Sequence, residues 1–169
     1  TLFFPSLFRQ ILFGQFGLLS GAVLVVALGA YDDMKGMNAA QKFGGEFVIS
    51  TILILSGFVI KKISLPFGYS LDLSWSAVPI TYLWLIGLMN AVNLLDGLDG
   101  LAGGVCAIAA LVILSNAWLT GNGALFIITL AFLAGILGFL KFNVYPASIF
   151  MGDTGSLFLG FVLAVLSVI

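Results

Sequence analysis

Long apolar stretches separated by short polar segments run through the whole chain. A helix needs about 20 apolar residues to cross the hydrocarbon core of a bilayer. On that measure the pattern predicts about six transmembrane helices, which cover residues 11–30, 45–60, 77–94, 102–119, 124–142 and 155 to the end of the sequence. Residues 1–10 are interpreted as the tail of an earlier helix. We therefore expect an all-α polytopic membrane protein, with residues 1–169 forming a single transmembrane domain.

The connection between the second and third spans differs from the others. After the Pro66-Phe67-Gly68 segment, the stretch "SLDLSW" alternates apolar and polar residues, which is typical of a β-strand. We expect a short hairpin here, lying at the membrane surface.

Composition narrows the chemistry that the chain could perform. Only 8% of the residues are charged and 62% are hydrophobic, whereas about a quarter of the residues in soluble domains are charged. The formal net charge of −1 gives no sign of a nucleic-acid partner. The chain has no histidine, so general-base or metal chemistry within it would fall to carboxylates.

The acidic residues sort to one face of the membrane. Because consecutive spans alternate sides, the first, third and fifth connections share a face, and all seven acidic residues except Asp72 lie in or beside them. Charged groups are costly in a membrane, so such a cluster predicts a functional site. Lysine and arginine divide three against three between the faces, so the positive-inside rule does not orient the chain.

The third connection, "NAVNLLDGLDGLAGG", carries the densest polar group. Asn90, Asn93 and Asp96 recur every three residues and therefore share one side of a helix. Asp99 can cap the N-terminus of the next helix. A simple helix-loop-helix corner would need one aspartate and one glycine, so the richer pattern favours a binding site.

The first connection, "YDDMKGMNAAQKFGGEF", places adjacent carboxylates at the end of a span. Repulsion between Asp32 and Asp33 would raise the pKa of one of them, which suits proton acceptance, and a nearby divalent cation would instead keep both ionised. The alternative is a pair of solvated loop acids, with Asn38 or Gln41 near the cap of the next helix.

The fifth connection, "FNVYPASIFMGDTGSLFLG", places Asp153 between glycines at a helix start. Backbone N–H groups at such a start suit phosphate oxygens, and the carboxylate suits Mg²⁺. The alternative is a helix N-cap. The aromatic residues Phe142, Tyr145 and Phe150 fit either an interfacial belt or stacking on a base.

Taken together, these three segments resemble the polyprenyl-phosphate N-acetylhexosamine-1-phosphate transferases, also called glycosyltransferase family 4. The resemblance covers nearly the whole chain. The hairpin, the segment "WSAVPITYLWLIGLMNAVNLLDGLDG" and the spacing to Lys42-Phe43 are more similar to undecaprenyl-phosphate N-acetylglucosamine-1-phosphate transferases than to phospho-N-acetylmuramoyl-pentapeptide transferases. The family also has a Gly-rich segment upstream and a His- or Arg-containing loop downstream, so we expect a fragment truncated at both ends.

The resemblance implies a reaction and its partners. A sugar 1-phosphate, most simply N-acetylglucosamine 1-phosphate, passes from a UDP-sugar to polyprenyl phosphate with release of UMP, in the synthesis of cell-wall or surface glycans. It also implies Mg²⁺, with Mn²⁺ as an alternative, and an active site on the cytoplasmic face of the cell membrane. A homodimer is compatible with it.

The resemblance also implies roles for particular residues. Asp153 is the expected metal ligand with Asn93 nearby, and Asp32 is the expected base or aligning group for the lipid phosphate, with Asp33 close to the metal or to that phosphate. The remaining implied residues bind the substrates. Asn90, Asp96 and Asp99 would hold the nucleotide sugar. Asn143 and Phe150 would contact the uridine, and Lys42 would neutralise phosphate charge.

Two other classes fit the residues less well. An ion-coupled transporter would place its acids within spans, whereas here they cluster at span ends. A CDP-alcohol phosphatidyltransferase needs Ala-Arg after its first Asp-Gly, and "DGLDGLAGG" has no arginine. Phosphoryl transfer depends mainly on positioning and charge neutralisation, so a metal and carboxylates can carry it without histidine.

Overall fold

The computed structural model describes the backbone of residues 3–64 and 69–169, with side chains from residue 15 onward in those ranges. Its elements, in chain order, are α1 (Phe3–Lys35), α2 (Ala39–Leu55), β1 (Lys62–Ser64), β2 (Ser70–Asp72), α3 (Ala77–Leu95), α4 (Leu101–Thr120), α5 (Gly123–Asn143) and α6 (Gly152–Leu166). A single 3₁₀ turn, Ser74–Ser76, leads into α3.

The membrane character predicted from the sequence is confirmed. Within the described ranges, four helical segments are long and apolar enough to cross a bilayer by length and composition: Gln15–Lys35, Ser74–Leu95, Leu101–Thr120 and Gly123–Asn143. The helices α2 and α6 are shorter, at 17 and 15 residues. The fold class is therefore an all-α polytopic membrane protein.

The N-terminal boundary differs from the sequence-based expectation. Residues 3–10 are continuous with the span that follows and form one helix with it, rather than the tail of an earlier helix. Pro5 lies in the first turn of α1, where a residue without an N–H sacrifices no intrahelical hydrogen bond.

The second span begins earlier than predicted because of its cap. Asn38 and Gln41 form a capping box, in which the Gln41 N–H donates to Asn38 Oδ1 at 2.9 Å and the Asn38 N–H donates to Gln41 Oε1 at 3.1 Å. This arrangement satisfies two N–H groups that a helix start otherwise leaves unpaired. The predicted cap near Asn38 or Gln41 is therefore confirmed, and Lys42 falls in the first turn of α2.

The short hairpin predicted between the second and third spans is also confirmed. The strands β1 and β2 pair antiparallel with Ile63 opposite Leu71, and both strands are exposed. The Pro66-Phe67-Gly68 segment lies outside the described residues.

The last helix, α6, lies at the centre of the bundle, where it packs against α1, α3 and α4. Phe161 of α6 is buried in one core cluster with Val25 of α1, Leu53 of α2 and Met89 of α3. Water does not drive helices together in lipid, so such packing depends on close van der Waals contact. The position of α6 matters for function because its N-terminus carries Asp153.

Two glycines bring helix backbones unusually close to each other. A Cβ atom added at Gly160 of α6 would lie 2.7 Å from the Cα of Met89 in α3. One added at Gly29 of α1 would lie 2.5 Å from the Cα of Thr154 in α6. Small residues allow this approach in membrane helices, and Gly29 makes it next to Asp32 and Asp33.

We expect Gly29→Ala to lower the free energy of unfolding by about 1–3 kcal/mol or more, as is typical of overpacking. The added methyl group meets backbone, so α6 has to move away from α1. Thermal unfolding of the full-length protein in detergent measures the effect. Gly87→Ala is the matched control, since a Cβ there would meet no atom within 4 Å. Equal melting temperatures for the two variants would contradict the close α1–α6 contact.

Candidate active site

Four of the polar side chains singled out in the sequence form one cluster where α1, α2, α3 and α6 meet. Its centre is the Lys42 ammonium group, which lies 3.0 Å from Asp32 Oδ2, 2.5 Å from Asp153 Oδ2 and 3.1 Å from Asn93 Oδ1. The Lys42 side chain is only 14% exposed. The first, third and fifth connections, which the alternation of spans predicts to lie on one face, therefore contribute to one site.

The Asn93 amide is fixed by its neighbours. Its Nδ2 donates to Asp153 Oδ1 at 2.7 Å and to Ser156 Oγ at 2.9 Å. The Ser156 hydroxyl donates its own hydrogen to the Gly152 carbonyl at 2.9 Å, so it has to accept from Asn93. The carbonyl oxygen of Asn93 consequently points toward the Lys42 ammonium group.

Asp33 holds the start of α6. Its Oδ1 accepts from the Asp153 N–H at 2.8 Å, and its Oδ2 accepts from the Thr154 N–H at 3.0 Å and the Thr154 hydroxyl at 2.5 Å. No side chain of the α6 N-cap residue, Met151, fills this role. A carboxylate is favourable at a helix N-terminus because it pairs with free N–H groups and with the helix dipole.

Gly152 lets the chain enter α6 beside that carboxylate. Its φ of +64° is a conformation that glycine adopts readily. A Cβ atom there would lie 3.0 Å from both carboxylate oxygens of Asp33. The glycine that precedes Asp153 is thus required by both backbone conformation and space.

Asp32 fixes the other side of the cluster. Its Oδ1 accepts from the Met37 N–H at 2.6 Å, which holds the turn that follows α1, while its Oδ2 faces Lys42. The adjacent carboxylates therefore have different partners. Asp32 binds the lysine, and Asp33 binds the α6 backbone.

Asp96 lies beside the cluster just beyond the end of α3. Burial raises the pKa of its carboxyl above the usual range, the negative charges of Asp153 and Asp33 raise it further, and a hydrogen bond from the Gly152 N–H partly opposes them. Its ionised form is therefore unfavourable in the folded protein.

Asp99 and Asn143 lie in a neighbouring contact between two loops. Asn143 is buried, accepts from the Gly100 N–H at 3.0 Å and donates to the Ile149 carbonyl at 2.9 Å. Asp99 accepts from the Ala147 N–H at 3.0 Å. These contacts fasten the α3–α4 loop to the α5–α6 loop.

Asp99 does not cap α4, although the sequence allowed it. The N-cap residue of α4 is Gly100 with φ +73°, and no side chain caps that helix. The left-handed turn at Gly100 leaves the Asp99 carboxylate bonded to the α5–α6 loop instead. Tertiary contact rather than the local sequence selects the partner of Asp99.

Asn90 lies about one helical turn before Asn93 in α3. It bonds to a residue for which the sequence predicted no role. Its Nδ2 donates to Glu46 Oε2 at 2.5 Å and to the Ile86 carbonyl at 2.9 Å. Glu46 is fully buried, and among the described residues its Oε1 has no hydrogen-bond partner. Its position four residues after Lys42, on the same face of α2, is the sequence signal that would have indicated it.

Phe150 lies apart from the polar cluster. Its side chain is 76% exposed, and it lines an apolar groove of about 620 Å³ between α5 and α6 that also includes Thr154.

We expect Asp96→Asn to raise the melting temperature of the metal-free protein at pH 7. The raised pKa of Asp96 means that the folded state disfavours its ionised form, so ionisation lowers stability as the pH rises. The difference between variant and parent should vanish as the pH falls toward the usual carboxyl pKa of about 3.9. Thermal unfolding in EDTA between pH 4 and 8 measures it.

The control for this prediction is Asp99→Asn. Its side chain is exposed and retains an oxygen that can accept from Ala147, so we expect little change in melting temperature. A lower melting temperature for Asp96→Asn than for Asp99→Asn at pH 7 would contradict the conclusion that the ionised Asp96 carboxylate is unfavourable in the folded protein.

Comparison with known proteins places the chain in a family. Residues 15–169 match the model of glycosyl transferase family 4. The chain is 40% identical over 150 residues to the probable undecaprenyl-phosphate N-acetylglucosaminyl 1-phosphate transferase of Bacillus subtilis (strain 168), a match that covers 88% of this chain and 42% of that protein.

A second group of relatives carries a different name. The chain is 40% identical over 163 residues to the phospho-N-acetylmuramoyl-pentapeptide-transferase of Listeria monocytogenes serotype 4b (strain CLIP80459), covering 94% of this chain and 49% of that protein. The equivalent protein of Geobacillus thermodenitrificans (strain NG80-2) is 36% identical over 181 residues, covering 100% and 56%. The chain spans about half the length of these relatives. By its family match and these similarities, the chain belongs to glycosyl transferase family 4.

Proposed function

We propose that the protein containing this chain transfers N-acetylglucosamine 1-phosphate from a UDP-sugar to polyprenyl phosphate and releases UMP. Membership of the family and the names of its relatives support the general class of reaction. The observation that carries the proposal is the cluster of Asp32, Lys42, Asn93 and Asp153, which combines a cation with carboxylate and amide oxygens at one point. Phosphoryl transfer depends on this kind of charge placement.

The proposed reaction exchanges one phosphoanhydride bond for another. An oxygen of the polyprenyl phosphate attacks the β-phosphorus of the UDP-sugar, and the bond from that phosphorus to the oxygen bridging it to the α-phosphorus breaks. UMP leaves with that oxygen and with the electron pair of the broken bond. In this proposal Asp32 aligns the lipid phosphate or accepts its proton, and Lys42 neutralises charge on the transferred phosphate.

The residues present fit a Mg²⁺ ion. Asp153 and Asn93 would hold it, with carboxylate and amide oxygens that are the hard ligands this ion prefers. Within the described residues no three His, Cys, Asp or Glu side chains form a metal cage. Mg²⁺ commonly binds through one or two carboxylates together with substrate phosphates and water. When bound, it would neutralise charge on the pyrophosphate, and Mn²⁺ uses the same oxygen ligands.

The choice of donor is supported by the small number of cations that this chain contributes to the face. A muramoyl-pentapeptide donor carries several carboxylates and would need basic groups, and the chain offers only Lys35, Lys42 and Lys141 there. Lys42 is already paired within the cluster. Lys141 lies over the ring of Phe142, 5.5 Å from its centroid. We further propose that this face is cytoplasmic, where nucleotide sugars are available.

We expect Asp153→Asn in the full-length protein to abolish transfer while the protein remains folded and inserted in the membrane. Asparagine keeps the size of the side chain but removes the charge that a Mg²⁺ ligand supplies. Transfer of label to lipid in membranes measures activity, and thermal unfolding checks the fold. Asp72→Asn, in the exposed hairpin strand β2, is the control and should keep full activity. Activity of Asp153→Asn within a few-fold of the parent would reduce Asp153 to a structural residue.

The choice of donor is tested with the full-length protein in membranes, Mg²⁺ and polyprenyl phosphate. UDP-N-acetylglucosamine and UDP-N-acetylmuramoyl-pentapeptide, each radiolabelled in the sugar, are supplied separately, and we expect label in lipid from the first only. Label from the pentapeptide donor alone would reverse the assignment in favour of the relatives from Listeria and Geobacillus. An absence of label from both donors would refute the proposed reaction.

A further inference from the structure

The Lys42 ammonium group occupies the position where the oxygens of the candidate site converge. Asp32 Oδ2, Asp153 Oδ2 and Asn93 Oδ1 all lie between 2.5 and 3.1 Å from its nitrogen. These atoms come from three different helices, so their convergence is a product of the tertiary fold. We call these three oxygens the oxygen cradle.

We propose that Lys42 is the resident cation of the oxygen cradle and that a divalent cation binds there only by displacing it. The proposal rests on the proposed function for the identity of the entering ion, which is Mg²⁺ or Mn²⁺. It adds Asp32 to Asn93 and Asp153 as a ligand, which leaves Asp32 the aligning role rather than that of proton acceptor. It also gives Lys42 two alternating positions.

The first argument is one of space and charge. Asp153 Oδ2 is already 2.5 Å from the ammonium nitrogen, and a Mg²⁺ ion would need to approach an oxygen to about 2.0–2.1 Å. Two cations on the same oxygen would lie only a few ångströms apart in a partly buried site and would repel each other. The ammonium group and the divalent ion therefore exclude one another.

The second argument is that the cradle cannot turn its oxygens elsewhere. Asp153 Oδ1 accepts from Asn93 Nδ2, and the Ser156 hydroxyl fixes the orientation of that amide. Asp32 Oδ1 is held by the Met37 N–H. The remaining oxygen on each side chain points to the cation position whichever cation is present.

The third argument concerns where Lys42 goes. Both oxygens of the neighbouring Asp33 already accept hydrogen bonds from α6, so Asp33 offers no equivalent position. The flexible four-carbon stem of lysine allows the ammonium group to move by several ångströms. A displaced Lys42 is then free to pair with a substrate phosphate. Binding of the divalent cation would thus release the ammonium group that binds phosphate.

The first test is binding of Mn²⁺, followed by electron paramagnetic resonance, to the full-length protein after treatment with EDTA and without donor or lipid. We expect Lys42→Met to bind Mn²⁺ about tenfold more tightly than the parent, equivalent to about 1.4 kcal/mol, because the competing cation is gone. Lys35→Met is the matched control, since it removes a nearby positive charge at the end of α1 without emptying the cradle.

The second test needs no variant and so does not depend on the folding of Lys42→Met. Acetylation of lysines in the parent protein is followed by mass spectrometry with and without saturating Mg²⁺, and Lys35 serves as the internal reference. We expect Mg²⁺ to accelerate acetylation of Lys42, whose side chain is 14% exposed when it lies in the cradle.

Three results would overturn the inference: equal tightening of Mn²⁺ binding in both lysine variants, weaker or unchanged binding in Lys42→Met, or acetylation of Lys42 that Mg²⁺ leaves unchanged. These results are separable from failure of the proposed function. A protein that transfers no sugar phosphate from either donor can still show the competition, and one that does transfer it can lack the competition.

Discussion

The interaction on which the site depends is the contact between the Asp33 carboxylate and the N-terminus of α6. It joins the end of one helix to the start of another that is 120 residues away in sequence. A helix start leaves N–H groups without intrahelical partners, and α6 has no side chain of its own that caps it. Asp33 supplies the missing acceptors and thereby fixes where Asp153 points.

That contact requires the two helices to approach closely. Gly29 permits the approach on the α1 side, and Gly152 on the α6 side gives both the left-handed turn and the space for the carboxylate. Gly160, further along α6, likewise allows the backbones of α6 and α3 to approach closely. In lipid, where packing rather than water brings helices together, these glycines set the distances on which the polar cluster depends.

The polar cluster also explains how so many acids are tolerated at one place. Lys42 lies between Asp32 and Asp153, while Asp33 is stabilised by the α6 backbone. Asp32 and Asp153 thus share one cation, whereas Asp33 pairs with backbone N–H groups. Burial, and then the negative charges of Asp153 and Asp33, raise the pKa of Asp96. The cluster therefore holds several charges in fixed positions without neutralising all of them.

Much of this organisation could be predicted from the sequence. The apolar runs predicted the helices because a bilayer imposes their length, and the alternation of spans predicted that "YDD", "NAVNLLDG" and "MGDTG" lie on one face. A cap near Asn38 or Gln41 and the hairpin were predicted from local patterns that tertiary contacts do not override. The boundaries of α1 and α2 were less predictable, because hydrophobicity alone does not mark where a helix starts.

The sequence by itself determined which elements form, which face each polar segment occupies and, through resemblance, which family the chain belongs to. Only the tertiary structure decided the pairing of side chains. Three pairings join residues that are distant in sequence. Lys42 lies among Asp32, Asn93 and Asp153. Asp99 bonds the α5–α6 loop instead of capping α4, and Asn90 pairs with the buried Glu46. Local patterns indicate the period of a helix, whereas side-chain partners are set by how the helices pack, to within a fraction of an ångström.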